Sequence, residues 1–258
     1  MSSIPTDSTK CVHSLTVKCD PSKFRSWVRL PLDAPNKHKY LTILGIIMLS
    51  FSQFINEETK LNNTRKTQVA TTGGTYEKTG VYLSDKLEPK SKIISIGAGL
   101  DHTKKALMKG LGKGYVVHDH EPNPEGRKEA PEYTNASKIP KNGYDAAVCH
   151  NVLNVVEPNV REHVMHSIFN SIKEGGHAII GTRKWKGDIE KNKNSEPAEE
   201  KKAMWVKKGS ERSYQKGFDG DELKDYVHDY AKRNGHQVEV KKLTGIAASG
   251  VHVKLLKK

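Results

Sequence analysis

The sequence Ile93-Ile94-Ser95-Ile96-Gly97-Ala98-Gly99-Leu100-Asp101 runs from an apolar strand into a Gly-x-Gly turn, and residues 103–109 continue as a helix. Two glycines at this spacing let the main chain bend sharply and approach a ligand without a Cβ in the way. The free N–H groups at the start of the following helix point into the same crevice. This arrangement predicts a site for a nucleotide-like ligand.

A second strand, residues 115–118, ends on Asp119, about 22 residues after Gly97. Dinucleotide-binding folds hold a ribose diol with a carboxylate at this spacing, so we expect Asp119 to bind ribose hydroxyls. The run from His118 to Glu121 also contains metal-ligand residue types. Neighbours alternate across a strand and no distant ligand cluster accompanies them, so no metal site is expected.

Apolar strands and helical segments alternate along the chain from residue 91 onward. The last two strands, 236–243 and 250–256, are joined by only about seven residues, too few for a crossover helix, so they should pair as an antiparallel hairpin. The pattern predicts an α/β fold, a doubly wound, mostly parallel seven-stranded sheet that ends in an antiparallel hairpin.

The 258-residue chain has a formal net charge of +13. Such a charge favours a polyanionic partner, and nucleic acid is the leading candidate. Many basic proteins carry their charge for solubility alone, so this second explanation stays open. The sequence does not determine the oligomeric state.

The three cysteines lack zinc-site spacing and are an odd number for a disulfide framework, which favours a reducing, cytoplasmic compartment. The start of the chain shows no secretory signal pattern. Residues 41–55 form an apolar run shorter than the roughly 20 residues that span a bilayer, so we expect a buried helix and no membrane partner. We divide the chain into an N-terminal extension, 1–62, and a domain, 63–258, with a charged insertion at 184–216.

Five stretches, in order, resemble the class I S-adenosylmethionine-dependent methyltransferases. Gly97 and Gly99 match the glycines of the family's first motif, whereas Ser95 and Asp101 depart from it. The remaining stretches are Asp119, Asn135-Ala136, residues 144–156 and residues 172–180. The resemblance implies a Rossmann-like methyltransferase fold, methyl transfer and S-adenosylmethionine as the cofactor.

The resemblance also implies which residues contact the cofactor. Asp101 would supply a substitute carboxylate for the cofactor's amino group, and Asn135-Ala136 would read its adenine. The full set of expected cofactor contacts is Gly97, Ala98, Gly99, Asp101, Asp119, His120, Asn135, Ala136 and Cys149. A small core-facing residue is the alternative, and favoured, role for Cys149.

Methyl transfer from a sulfonium depends mainly on holding the acceptor in line, in a crevice that excludes water. His150, at the carboxyl end of the fourth strand of the family pattern, is the candidate base, and Asn151 the candidate positioning residue. Packing is the alternative role for His150. Asn151 and Asn154 either orient an acceptor or cap the following turn.

The insertion interleaves aromatic and basic residues, a pattern that suits stacking on bases and contact with phosphates. A solvated charged loop explains it equally well. The polar segment 71–76 is expected to form a turn that closes the ligand site. The candidate acceptor contacts are Arg65, Lys66, Tyr76, Trp185 and Lys186. We therefore expect a methyltransferase acting on DNA or RNA; a small-molecule or protein acceptor, or a non-catalytic nucleic-acid-binding domain, are the alternatives.

Overall fold

The computed structural model describes residues 69–208, 211–248 and 250–258 of the chain. The extension 1–62 with its apolar helix, and the candidate contacts Arg65 and Lys66, lie outside the described residues. Each helix in the described ranges is too short or too polar to cross a membrane.

The described residues contain four α-helices and nine strands. The helices are α1 (Val69–Ser84), α2 (Asp101–Leu111), α3 (Pro158–Ser171) and α4 (Gly220–Arg233), with short 3₁₀ helices at Ala136–Lys138 and Ile189–Lys191. The strands are β1 (Lys92–Ile96), β2 (Val116–His120), β3 (Tyr144–His150), β4 (Ile172–Arg183), β5 (Ser195–Pro197), β6 (Ala203–Lys208), β7 (Glu211–Lys216), β8 (Val238–Leu243) and β9 (Gly250–Lys257).

The main sheet has the strand order β2-β1-β3-β4-β9-β8. The first four strands are parallel, and β9 is antiparallel to both β4 and β8. The doubly wound α/β fold with its antiparallel terminal hairpin is thus confirmed. The described part of this sheet has six strands where seven were expected. Four prolines fall between β2 and β3, and proline cannot donate to a strand ladder, so Tyr133 makes only an isolated bridge with His120.

The core lies in two apolar layers, one on each face of the main sheet. Ile94 and Ile96 of β1 pack with Phe169 of α3 and Val227 of α4. Ile93, on the opposite face, belongs to the layer formed with α1 and α2. Both faces of the central parallel strands are buried, which explains why these strands read as nearly continuous apolar runs.

Residues 71–76 do not form the expected turn, because they lie within α1. Tyr76 is buried in the layer between α1 and the sheet. α1 packs against α2 through two glycines: a Cβ on Gly80 would lie 2.4 Å from Leu107 O, and one on Gly110 would lie 1.9 Å from Glu77 O. Close packing of the two helices therefore stabilises the helical conformation of residues 71–76. The sequence of residues 71–76 alone does not reveal this packing.

The charged insertion is folded, with β5, β6 and β7 forming a separate antiparallel sheet. Two buried cations tie it to the main domain. Arg161 of α3 binds Glu200 with Nη1 to Oε1 at 2.8 Å, and Lys216 Nζ lies 2.5 Å from Glu222 Oε1 of α4. A mobile solvated loop would not require these paired, buried charges, so the insertion is a fixed part of the domain.

Candidate functional site

The Gly97–Gly99 turn lies at the carboxyl edge of the parallel strands. Gly97 and Gly99 have φ angles of +65° and +66°, a region that favours glycine. The N–H groups of Gly97 and Ala98 both donate to His120 O, at 2.9 and 3.0 Å, which folds the turn onto the end of β2. A Cβ on Gly97 would lie 2.5 Å from Val152 Cγ2, whereas one on Gly99 would meet open space. Gly97 is thus required for packing, and Gly99 presents bare main chain to the crevice.

Two carboxylates follow at the end of β2, and they differ in their partners. Asp119, the predicted ribose ligand, is fully buried, and its Oδ2 binds Arg127 Nη2 at 2.6 Å. Glu121 Oε2 accepts a hydrogen bond from Gly99 N at 2.7 Å. Burial raises the pKa of Asp119, and Arg127 opposes that shift. Glu121 is therefore the carboxylate placed directly on the glycine turn.

Sequence reasoning passed over Glu121 as a cofactor contact. Residues two apart in a strand share a face, so Asp119 and Glu121 were both candidates on the same side of the sheet. The spacing between Gly97 and Asp119 favoured Asp119 as the predicted ribose ligand. The contact of Asp119 with Arg127, a residue eight positions later in an irregular loop, is a tertiary fact that no local pattern revealed.

The carboxylate of Asp101 holds the loop that follows β2. Its Oδ2 accepts from Lys128 N at 2.7 Å, and its Oδ1 lies 3.2 Å from Arg127 Nε. The hydrogen bond from Lys128 N lowers the pKa of Asp101. Arg127 also donates to Gly99 O at 2.8 Å. Asp101 is thus already engaged in fixing this loop against the glycine turn, and its role toward a cofactor amino group stays a prediction.

Unpartnered polar atoms are concentrated at the same edge of the sheet. Nine residues in the described ranges have a buried side-chain N or O atom without a hydrogen-bond partner, and one of them, Tyr226, lies on α4. The other eight lie at the ends of parallel strands or just after them: Ser95, Asp101, His102, Asp119, His120, His150, Asn154 and Thr182. Of these atoms, Asp101 Oδ1 lacks a hydrogen bond but has an ion pair with Arg127. Buried polar groups nearly always have partners, and open α/β sheets bind ligands at this edge. The distribution makes this edge of the sheet the candidate ligand site.

His150 is packed beneath α1. The Thr79 hydroxyl donates to Thr75 O at 2.9 Å, so it accepts from His150 Nε2 at 2.8 Å, which places the imidazole proton on Nε2. Burial, and secondarily the neighbouring His252, lowers the pKa of His150 well below its ordinary value. A Cβ on Gly181 would lie 2.3 Å from Nδ1. These contacts favour the packing role, and the catalytic role of His150 stays a prediction.

The turn after β3 forms one wall of the crevice. Asn151 has a φ of +58°, which asparagine tolerates better than most residues, and its N–H donates to Gly181 O at 2.8 Å. Val152, the next residue, is the one that fills the space left at Gly97. The candidate residue Asn151 therefore lies beside the glycine turn, in a conformation the surrounding structure imposes.

Four other expected cofactor contacts lie in different surroundings. Cys149 faces the apolar core, and burial raises the pKa of its thiol to about 12, which fits the packing role. Burial lowers the pKa of His120 to about 4. Asn135 caps the 3₁₀ helix that begins at Ala136, its Oδ1 accepting from Ser137 N at 2.8 Å, and Ala136 is exposed.

Of the candidate acceptor contacts, Tyr76, Trp185 and Lys186 lie within the described residues. Tyr76 is buried under α1, where burial raises the pKa of its hydroxyl. Trp185 packs against Gly217, where an added Cβ would lie 2.3 Å from Trp185 Cα. Lys186 is exposed. A direct acceptor contact for Tyr76 would require α1 to move.

No family profile and no curated protein matches this chain. Among solved structures, it is similar to the PH0226 protein of Pyrococcus horikoshii OT3, with a TM-score of 0.54 and 13% identity, over 78% of this chain and 99% of that one. The likeness shows the fold, a Rossmann-like α/β fold with a mostly parallel sheet.

Two further solved structures are similar to this chain at comparably low identity. A Rhodobacter sphaeroides protein described as a candidate zinc-dependent alcohol dehydrogenase gives a TM-score of 0.52 at 12% identity, covering 74% of this chain and 100% of that one. The 1,6-didemethyltoxoflavin-N1-methyltransferase of Burkholderia thailandensis, solved with S-adenosylhomocysteine, gives 0.46 at 15% identity, covering 89% and 92%. At these identities the fold alone is shared, and a fold does not by itself determine function.

Proposed function

We propose that this chain transfers a methyl group from S-adenosylmethionine to an acceptor. The observation that carries the proposal is the glycine turn with Glu121 bound to it, at an edge of the sheet where unpartnered buried polar atoms are concentrated. A nucleoside cofactor fits these features because its ribose hydroxyls need a group that accepts two hydrogen bonds, and because glycines let the protein main chain come close to the cofactor.

The residues present fit such a cofactor. The main chain at Gly97–Gly99 would lie against it, Glu121 would bind the ribose hydroxyls, and Asn135-Ala136 would lie near the adenine. When bound, the cofactor supplies a methyl carbon attached to a cationic sulfur. The carboxylates of Asp119 and Glu121, only partly offset by Arg127, suit a ligand with that positive charge.

Catalysis by this chain is proposed to rest on positioning. The turn that carries Asn151 would orient the acceptor from the β3 side, while the packed walls of the crevice exclude water. His150 Nε2 donates a hydrogen bond to the Thr79 hydroxyl, so only Nδ1 has a lone pair available. Nδ1 is buried against Gly181. An acceptor that needs no deprotonation by the enzyme before attack, such as an amine nitrogen, suits this arrangement.

Nucleic acid is the acceptor class we propose. The net charge of +13 favours a polyanion. Arg212 of β7 lies over the ring of Trp205 on β6, with 4.7 Å between the guanidinium carbon and the ring centroid. An exposed arginine beside an aromatic ring combines phosphate attraction with a stacking surface. Paired cations such as Lys207 with Glu196 reduce the positive field of the insertion.

Two measurements test this function. Calorimetry of the full chain with S-adenosylmethionine and S-adenosylhomocysteine is expected to show micromolar binding that Glu121→Gln weakens. Labelled-methyl transfer across DNA, RNA, protein and small-molecule extracts is expected to label nucleic acid. Binding of polyanions without cofactor binding would instead support a non-catalytic domain, and label confined to small molecules or protein would overturn the acceptor class.

A further inference from the structure

Asn154 has the least satisfied side chain at the carboxyl edge. The residue is fully buried, yet both Oδ1 and Nδ2 have no hydrogen-bond partner within the described residues. The other described residues with unpartnered buried atoms each have one such atom, whereas Asn154 has its donor and its acceptor both unused. Packing alone would favour an apolar residue here, since an unpaired buried amide destabilises the fold.

The main chain of Asn154 is held in place from both sides. Val152, in the same turn, fills the space at Gly97, and Asn154 O accepts from Lys216 N of β7 at 2.7 Å. Lys216 is in turn fixed by its buried ion pair with Glu222. Asn154 therefore lies between the glycine turn and the insertion, and its carboxamide is carried on a rigid support. A rigid support for an unpaired polar group is typical of a binding residue.

Other amide and hydroxyl groups belong to the same region. Gln215, the residue before Lys216, is buried, and its Oε1 accepts a long hydrogen bond of 3.4 Å from Arg183 Nη1. The Thr182 hydroxyl, near the end of β4, is buried and unpartnered. The region is polar but contributes no unpaired carboxylate of its own, which suits a neutral, planar, hydrogen-bonding group better than a phosphate.

We propose that Asn154 recognises the acceptor by pairing its carboxamide with the hydrogen-bonding edge of a nucleobase. This deepens the proposed function and rests on it for the reaction, although base binding is measurable without transfer. A carboxamide offers one acceptor beside donors, so it pairs with an edge that offers a donor beside an acceptor. Adenine, cytosine, uracil and guanine each have such an edge, which in guanine is N1–H beside O6, and a base removed from its stack exposes it.

The substitution Asn154→Asp changes the pattern without changing the shape. A carboxylate accepts but does not donate, so it pairs with two adjacent donors, which guanine offers at N1 and N2. The full chain, saturated with S-adenosylhomocysteine, is titrated with cytidine, adenosine, uridine and guanosine. We expect Asn154→Asp to weaken binding of the nucleosides that the unaltered chain prefers by at least tenfold and to shift preference toward guanosine.

Asn154→Leu separates recognition from folding. It removes the unpaired amide, so its melting temperature should stay equal or rise while nucleoside binding is lost. The matched control is Asn192→Asp on the insertion, an exposed asparagine whose Oδ1 accepts from Asn194 N at 3.1 Å, and it should bind nucleosides like the unaltered chain.

The outcomes distinguish this proposal from the proposed function. Absence of cofactor binding by the unaltered chain overturns methyl transfer. Absence of nucleoside binding by the cofactor-product complex, or an Asn154→Asp chain with unchanged nucleoside preference, overturns the role of Asn154 even when the cofactor binds. A large loss of melting temperature in Asn154→Leu shows a structural role and also overturns it.

Discussion

Replacing Glu121 by Gln tests which carboxylate holds the cofactor ribose. The substitution removes the charge and keeps one oxygen that can accept from Gly99 N, which preserves the contact with the turn. It gives up the second hydrogen bond of the carboxylate, from Asn123 N to Oε1 at 3.0 Å. Replacing Asp119 by Asn is the matched control, because Asp119 is the other acid at the end of β2 and is bound to Arg127 instead. We expect the first change to affect cofactor binding and the second to affect mainly stability.

The magnitudes follow from the two environments. Hydrogen bonds to a charged group contribute about 1.5–3 kcal/mol, which corresponds to a roughly 10- to 150-fold loss of affinity for Glu121→Gln. Asp119→Asn removes one of the two carboxylates that pair with the buried Arg127 guanidinium and leaves Asp101 as the other, so the loss is at most the roughly 3–5 kcal/mol that breaking a buried pair costs. For a domain of this size that is a fall in melting temperature of at most roughly 6–20 °C.

Calorimetry with S-adenosylhomocysteine and thermal unfolding give the two numbers independently. Both variants are measured at a temperature at which each is fully folded, so that affinity is not confounded with unfolding. The role of Glu121 is overturned if Glu121→Gln binds with unchanged affinity while Asp119→Asn loses binding at an unchanged melting temperature. That pattern would return the ribose contact to Asp119.

Three further predictions concern packing, pH and the acceptor surface. Gly97→Ala should lower the free energy of unfolding by about 2–4 kcal/mol, because Gly97 has a positive φ and its added Cβ would lie 2.5 Å from Val152. Gly99→Ala has open space around it, so it should lower the free energy of unfolding by only about 1–2 kcal/mol and yet weaken cofactor binding. Equal losses of the two variants in chemical denaturation would contradict this. Burial lowers the pKa of His252 to about 4 from 6.5, so on acidification the unfolded chain takes up this proton before the folded chain does. The contribution of His252 to the free energy of unfolding is complete above about pH 6.5 and falls by at most about 3 kcal/mol as the pH drops toward 4. This contribution should vanish in His252→Gln, and unfolding measured between about pH 7.5 and 4.5 tests it. Trp205→Ala should weaken single-stranded nucleic acid binding by about 1–3 kcal/mol, and Arg212→Ala should also reduce its salt dependence; fluorescence anisotropy that finds neither change removes this surface from the acceptor site.

The fold class was predictable because its signals are local. A buried parallel strand requires an apolar run, a turn with positive φ at two positions requires glycines, and a short connection between the last two strands allows only a hairpin; each requirement appears within about ten residues of sequence. The edge of the sheet at β2 was less predictable, because a strand must find a partner and the prolines between β2 and β3 prevent that pairing. The helical state of residues 71–76 likewise depended on α2, whose Gly110 allows α1 to approach.

The sequence by itself determined the glycine turn, the carboxyl-edge location of the candidate site and the order of its elements. Only the tertiary structure decided which side chains are available there. Asp119 is bound by Arg127, Asp101 by the N–H of Lys128, and His150 Nε2 by the Thr79 hydroxyl. Glu121 is hydrogen-bonded to the glycine turn, and Asn154 has an unpaired carboxamide. The physical reason is that a polar side chain's role depends on which groups compete for its hydrogen bonds, and those competitors come from distant parts of the chain that only folding brings together.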